Sequence, residues 1–319
     1  MRCLITGVAG FVGSHLAERL LADGHEVHGI DAFIDYYPRR IKELNLERLR
    51  DWEDFTFVEE NILTANLFRL LEGMDWIFHQ AAQAGVRASW GHEFTRYTEC
   101  NILATQRLLE AASHTKSLRR FVYASSSSVY GETTALPVTE QVTPHPVSPY
   151  GVTKLAAEHL CLLYHRNFGV PTASLRYFTV YGPRQRPDMA FHRFCKSILD
   201  REAITIFGDG LQTRDFTYIS DVVQANILAA NADAASGEVM NIAGGSRVTL
   251  RSVLQLLQEI SGSRIEIRRD NRQPGDVLDT FADTTRAHQL INYHPRVGLR
   301  EGLTSQFEQV VSLYARVRR

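Results

Sequence analysis

Residues 4–5, 26–30, 55–58, 76–79, 121–124 and 173–176 form short strand-like runs. Between them lie longer stretches in which apolar side chains recur every three or four positions. The runs read as strands and the stretches as helices. Leu16, Ala17, Leu20 and Leu21 mark a helix over 14–23 that Gly24 stops. The polar segment 35–52, rich in arginine and glutamate, predicts a surface helix. A long helix is expected over 99–112. Another starts at Tyr150 after the proline-punctuated loop 144–149 and continues through Ala156, Ala157, Leu160 and Leu163. From 178 to 191 neither period holds, and clustered prolines, arginines and aromatics read as a loop. Strands are then expected at 204–210, 214–218, 239–242 and 265–268, and helices at 221–230, 250–260 and 301–314. A boundary near residue 175 divides a first domain, 1–175, from a second, 176–319, some of whose segments return to the first.

The first strand, helix and second strand enclose Thr-Gly-Val-Ala-Gly-Phe-Val-Gly at 6–13. Glycines at such a turn let the backbone approach a pyrophosphate resting on a helix N-terminus. The second strand ends in Asp31, placed to accept both hydroxyls of an adenosine ribose. A 2′-phosphate would meet that charge, so the pattern favours NAD over NADP. Arg39 and Arg40 read as a solvated face. Asn61 and Ile62 follow the third strand at the adenine edge, and Gln80, Ala81 and Ala82 follow the fourth, where small residues leave room for phosphates and ribose. The expected architecture is α/β: a Rossmann-type doubly wound parallel sheet with a smaller C-terminal α/β substrate domain.

Composition removes several classes. Thirty-five Lys plus Arg against 36 Asp plus Glu give no field that draws the chain to nucleic acid or an anionic membrane. No apolar run reaches the roughly 18 residues of a membrane span. Met1 and Arg2 lead straight into a strand, so no signal peptide is expected. The four cysteines, Cys3, Cys100, Cys161 and Cys195, are widely spaced and read as reduced thiols of a cytoplasmic protein rather than staples or metal ligands.

Tyr150-Gly-Val-Thr-Lys154 carries the candidate chemistry, because residues four apart share a helix face. A free phenol titrates near pH ~10 and is a poor base at neutrality. An ammonium one turn away favours the phenolate. Tyr150 is then suited to take a proton from a sugar or alcohol hydroxyl while a neighbouring acceptor takes hydride. Ser125 to Ser128 follow the fifth strand, at the carboxyl edge where parallel sheets bind ligands, and offer hydroxyls to a bound sugar.

Together TGVAGFVG, Asp31, SSSSVYG and YGVTK resemble the extended short-chain dehydrogenase/reductase family, in particular its nucleotide-sugar epimerases and dehydratases. GDGLQTRDFTYISD and PGDVLDTFAD also look like that family's C-terminal motifs, so the resemblance covers nearly the whole chain. It implies a triad of Ser126, Tyr150 and Lys154. It implies a cofactor site lined by Gly7, Gly10, Phe11, Val12, Gly13, Asp31, Asn61, Ile62 and Lys154, with Gln80, Ala81, Ala82 and Asn101 beside them. Dehydratases of the family carry an acid and a base in the serine stretch, and its decarboxylases a glutamate before VYG; Ser127 and Ser128 stand at those places, which argues for epimerisation.

FTVYGPRQRPDMAF and Gly85-Val86-Arg87 look like the corresponding segments of UDP-glucuronate 4-epimerases, with Thr179 where UDP-glucose epimerases have asparagine. Arg186 is suited to a sugar carboxylate, the alternatives being a diphosphate contact or a surface ion pair. By resemblance, Arg214 and Asp276 would hold the diphosphate and uridine ribose, and Phe191 and Phe207 would wall the uracil pocket. Gln273 stands where many glucose epimerases place an arginine. UDP-glucose, a UDP-N-acetylhexosamine and a non-catalytic dinucleotide sensor stay open as other readings. A homodimer through the Tyr150 helix and the 99–112 helix is a further implication.

Overall fold

The computed structural model describes residues 1–317. The first half alternates strand and helix. β1 (Arg2–Thr6) leads to α1 (Phe11–Ala22), β2 (Glu26–Ile30) to α2 (Arg39–Leu46), and β3 (Phe55–Val58) to the short α3 (Leu67–Leu70). β4 (Trp76–His79) precedes α4 (Phe94–Tyr97) and α5 (Ala104–Ser113), and β5 (Arg120–Ser126) precedes α6 (Pro149–Phe168). β6 (Thr172–Tyr177), β7 (Val180–Tyr181), α7 (Ala190–Asp200), β8 (Ile204–Phe207), β9 (Thr213–Asp215) and β10 (Thr217–Tyr218) follow. The chain ends with α8 (Ile219–Asn231), β11 (Glu238–Ile242), β12 (Arg247–Thr249), α9 (Leu250–Ser261), β13 (Ile267–Asp270), α10 (Thr285–Ile291) and α11 (Leu299–Val317).

Seven strands form one sheet in the order β11-β6-β5-β4-β1-β2-β3, every pair parallel. Alternation along the strands decides which layer each side chain joins. Cys3 and Ile5 face a core completed by Leu16 and Leu20 of α1 and Val222, Ala225 and Ala229 of α8. Leu4, Ile77, Phe121 and Tyr123 face the opposite layer, with Leu108 and Leu109 of α5 and Ala157 and Cys161 of α6. The chain reverses its winding between β1 and β4, which opens a crevice at the carboxyl ends of the strands. Residues after β6 serve two bodies. α8 and β11 join the main sheet, whereas α7, β8, α9 and α11 surround a separate apolar cluster that includes Phe194, Ile204, Ile206, Leu254, Leu257 and Leu303. No helix among the described residues is long and apolar enough to cross a membrane.

Three expectations change. The helix expected over 99–112 is interrupted by a π-helical turn, Thr98–Leu103, between α4 and α5. The loop expected over 178–191 contains β7, and α7 starts inside it at Ala190. α3 and α10 lie in segments whose spacing marks no helix, because each is little more than one or two turns long.

Candidate active site

One cleft of about 740 Å³ runs along the carboxyl edge of the sheet from the glycine turn to the substrate body. At its first end a Cβ on Gly7, which has φ +70°, would lie 2.8 Å from the Ala81 backbone, and one on Gly13 would lie 2.3 Å from the Gly7 carbonyl oxygen. Only glycine permits this approach of turn, helix and β4 loop. α1 starts at Phe11 with no side-chain cap and no acidic residue in its first turn, which leaves its N-terminus to an anion. The Asp31 carboxylate accepts from the amides of Ala9 at 3.1 Å and Phe33 at 2.9 Å, and burial pushes it above the usual carboxylate range. Asn61, Ile62, Gln80, Ala81 and Ala82 line the same end. The residues present fit a dinucleotide: a tight anion cradle, a ribose acceptor and small residues between.

A buried relay sets the loop after β4. His79 lies between Thr6 Oγ1, 2.7 Å from Nδ1, and Thr105 Oγ1, 2.9 Å from Nε2. Thr105 donates to the Asn101 carbonyl and Thr6 accepts from the Ala81 amide, so Nε2 carries the proton and Nδ1 accepts. Burial drives the imidazole down to about 3, which keeps it neutral. Asn101 does not line the cleft. It accepts from the Gln83 amide at 2.8 Å and donates to the Gln83 carbonyl at 3.0 Å and to Thr153 at 2.9 Å. The π turn lets one asparagine reach both the loop and α6, a common use of such turns near functional sites.

Tyr150, Lys154, Ser126, Ser127 and Ser128 meet in the middle of the cleft. Ser148 caps α6 by accepting from the Gly151 amide at 3.1 Å, and Pro149 sits in its first turn, so Tyr150 is held at a defined helix start. The Tyr97 ring meets Tyr150 edge-on at 6.2 Å. Burial raises the Tyr150 phenol, whereas a hydrogen bond from Ser126 and the positive charge of Arg186 lower it. Lys154 is buried, its Nζ stands 4.4 Å from the centre of the Tyr123 ring, and loss of hydration brings it down to about 7.

Beneath these groups Glu158, eight residues after Tyr150 on α6, accepts from Ser125 Oγ at 2.6 Å. Arg176 of β6 forks onto the same carboxylate at 2.6 and 3.0 Å and donates to Tyr130 Oη at 2.7 Å.

At the far end Thr179, Arg186, Gly85, Val86, Arg87, Phe207 and Asp276 line the cleft. Arg186 is paired with Asp188 at 2.9 and 3.0 Å, and Tyr36 donates to the same carboxylate at 3.2 Å. Phe191 is not a wall. It is 2 % exposed and packs in a ring cluster with Phe216 at 4.6 Å and Tyr181 at 5.6 Å. With α7 starting at Ala190, the 100° step between residues sends Ala190, Arg193 and Phe194 to the cleft and Phe191 inward. Arg214 also stands behind the wall, donating to the carbonyls of Thr213, Val277 and Leu278 at 2.7–2.8 Å.

Lys42 lines the cleft beside Asp31, yet it belongs to a segment whose composition suggests solvation. The available signal was the helical spacing of Ile41, Lys42, Asn45 and Leu46, which puts all four on the buried face of α2. Tyr36, Tyr37 and Asp188 reach the site from loops and carry no comparable pattern.

Residues 3–243 match the family model described as the NAD dependent epimerase/dehydratase family. An uncharacterized UDP-glucose epimerase, YtcB, of Bacillus subtilis is 49% identical over 98% of this chain and 99% of its own length. A UDP-glucuronate 4-epimerase of Thermodesulfobacterium geofontis is 36% identical over 94% of this chain and 93% of its own. The crystal structure of UDP-glucuronic acid 4-epimerase from Bacillus cereus, in complex with UDP-glucuronic acid and NAD, superposes with a TM-score of 0.96 at 46% identity, covering 98% of this chain and 100% of that one. With the glycine cradle, the ribose acceptor and the Ser126–Tyr150–Lys154 constellation in one cleft, the chain belongs to the NAD-dependent epimerase/dehydratase family, and its cofactor is NAD.

Proposed function

We propose that this chain interconverts UDP-glucuronate and UDP-galacturonate. Its class is that of the NAD-dependent nucleotide-sugar 4-epimerases, which are isomerases. The observation that supports the finer reading is that Arg186 and Thr179 line the same cleft as Tyr150 and Ser126 to Ser128, with Arg186 held by Asp188 at 2.9 and 3.0 Å. A cation in the same cleft as the base that serves C4 is suited to a carboxylate two carbons away, since a guanidinium matches a carboxylate in geometry and charge.

Bound NAD+ supplies a hydride acceptor that returns what it takes, so no net redox change occurs. Tyr150, as phenolate, removes the C4 hydroxyl proton, and Ser126 hydrogen-bonds the same oxygen. Lys154 would hold the neighbouring ribose of the bound cofactor. The keto sugar turns about its diphosphate linkage and receives hydride on its other face, while Tyr150 gives the proton back. The oxidised sugar is a β-keto acid, which loses carbon dioxide when its carboxylate bond stands perpendicular to the ketone. Thr179, Arg186, Ser127 and Ser128 line the cleft where they can hold the carboxylate out of that geometry, and none of them is an acid or base that would drive elimination.

Purified protein incubated with UDP-glucuronate, without added cofactor, is expected to give UDP-galacturonate as the sole product. UDP-pentose as a main product, or turnover of UDP-glucose alone, overturns the reading. Arg186→Ala and Thr179→Ala are expected to slow turnover about 10-fold or more, the scale of a lost charge-assisted contact, and to let UDP-pentose appear. Unchanged rate and purity in both variants would remove the carboxylate from this pocket. A UDP-glucose reading draws support from one feature: Asp188 already pairs with Arg186 and reduces the charge left for a substrate. We also infer a homodimer formed through α6 and the π turn.

A further inference from the structure

We infer that Arg87 makes recognition of the uridine conditional on the diphosphate attached to it. This rests on the nucleotide-sugar reading of the cleft. The Arg87 guanidinium lies 4.0 Å from the centre of the Phe207 ring and forks onto Asp276, at 2.6 Å from Nη2 and 3.3 Å from Nε. A flat cation on an aromatic face and a two-point contact with a carboxylate are what a pyrimidine ring and the hydroxyls of its ribose would require of the same two residues. Arg87 therefore fills the nucleoside end of the cleft.

The contact spans the cleft, since Arg87 follows β4 on the cofactor side while Phe207 ends β8 and Asp276 follows β13 on the other. Its backbone supports are tight. Gly85 has φ +107°, and a Cβ there would come within 2.4 Å of Tyr36 Oη. Gly275 has φ +84°, and a Cβ there would lie 3.0 Å from Val86 Cγ1. The Arg87 side chain is 41% exposed and can swing off Phe207 and Asp276 toward solvent to admit a nucleoside. The surroundings determine where that side chain can go. Arg214 and Arg272 stand nearby, Arg87 and Arg214 repel each other, and Asp279 is paired with Arg247. Arg272 at the rim and Arg214 behind the wall thus place more cation around Asp276 than it balances, and a diphosphate gives the displaced guanidinium an anion it can grip at two points. A nucleoside evicts Arg87 and offers nothing in return.

The two effects of removing Arg87 have opposite signs, which makes the inference testable by calorimetric titration of the NAD-loaded protein with uridine and with UDP. Arg87→Ala is expected to bind uridine about 5-fold more tightly than the unaltered chain, the scale of an exposed ion pair plus a cation–π contact. The same variant is expected to bind UDP about 10- to 100-fold more weakly, the scale of lost charge-assisted bonds. Weakening of both ligands in equal proportion would make Arg87 an ordinary wall residue, and unchanged uridine affinity would show that it does not block the site; either result overturns the inference. Failure of UDP to bind the unaltered chain at all would instead overturn the nucleotide reading itself, and this inference with it.

Discussion

Tyr150, the proposed base, is set by neighbours from several elements as well as by its place on α6. Burial raises the Tyr150 phenol while Ser126 and Arg186 lower it, and Lys154, one turn away, is buried beside Tyr123 and brought down to about 7 by loss of hydration. The signs give a pH prediction. A phenolate is the active form, so activity rises as pH passes upward through the Tyr150 pKa, and removing a group that lowers that pKa moves the rise to higher pH. Ser126→Ala is expected to shift the alkaline-going limb of the kcat/KM profile upward and to cut the rate at neutrality about 10- to 100-fold. Tyr150→Phe is expected to abolish turnover while retaining bound dinucleotide. A Ser126→Ala profile that falls in height with no movement along the pH axis would show that the serine only positions the sugar.

At the scale of elements, α6 is the member on which the site depends. Tyr150, Lys154 and Glu158 recur every four residues along it, and Glu158 joins Ser125 at the end of β5 to Arg176 of β6. Glu158 and Arg176 are 1% and 4% exposed, so breaking the pair strands a charge away from water. Glu158→Ala is expected to cost about 3–5 kcal/mol in chemical denaturation, and Glu158→Met with Arg176→Met to recover much of that loss. Equal destabilisation by the single and double variants would show that shape, not charge pairing, sets the cost.

This network also marks how far the sequence could be read. The sheet strands and α1, α6, α8, α9 and α11 were legible because each keeps one period over its length, and α1, α6 and α9 are also bounded by glycine, proline or a capping residue. So were the glycine cradle, Asp31 and the Tyr150 constellation, whose spacing is fixed by one local element. Phe191 was placed wrongly because its orientation depends on where α7 starts, one residue earlier. Asn101 acts from behind the loop because a π turn, which leaves no trace in apolar spacing, sets its direction. Lys42 was hidden by the polar composition of its segment although helical spacing puts it on the buried face of α2, whereas the Arg87–Asp276 contact joins distant segments and no local pattern encodes it.

For the whole molecule, the sheet's two faces are covered differently. α1 and α8 sit over one layer, while α5 and α6 over the other leave apolar side chains in water. Leu103 of the π turn is 49% exposed, and on α6 Val152 is 46% and Leu163 53% exposed, with Ala156 and Leu160 half-buried between them. Val152, Ala156 and Leu163 fall at i, i+4 and i+11, a stripe along one helix face. A continuous apolar stripe of this kind is suited to a second copy of the same surface, since a two-fold axis sets each residue against its own counterpart and closes the assembly. The face also lies directly behind Tyr150 and Lys154, so association would stiffen the helix start that presents them. A stable dimer requires about 800 Å² buried per partner, and two helices from each copy could supply an area of that order. Val152→Glu with Leu163→Glu places like charges across such an axis. The expected result is a monomer by sedimentation equilibrium where the unaltered chain sediments as a dimer, with reduced turnover but bound dinucleotide retained. A monomeric unaltered chain, or a doubly substituted chain that still sediments as a dimer, would remove α6 from the interface.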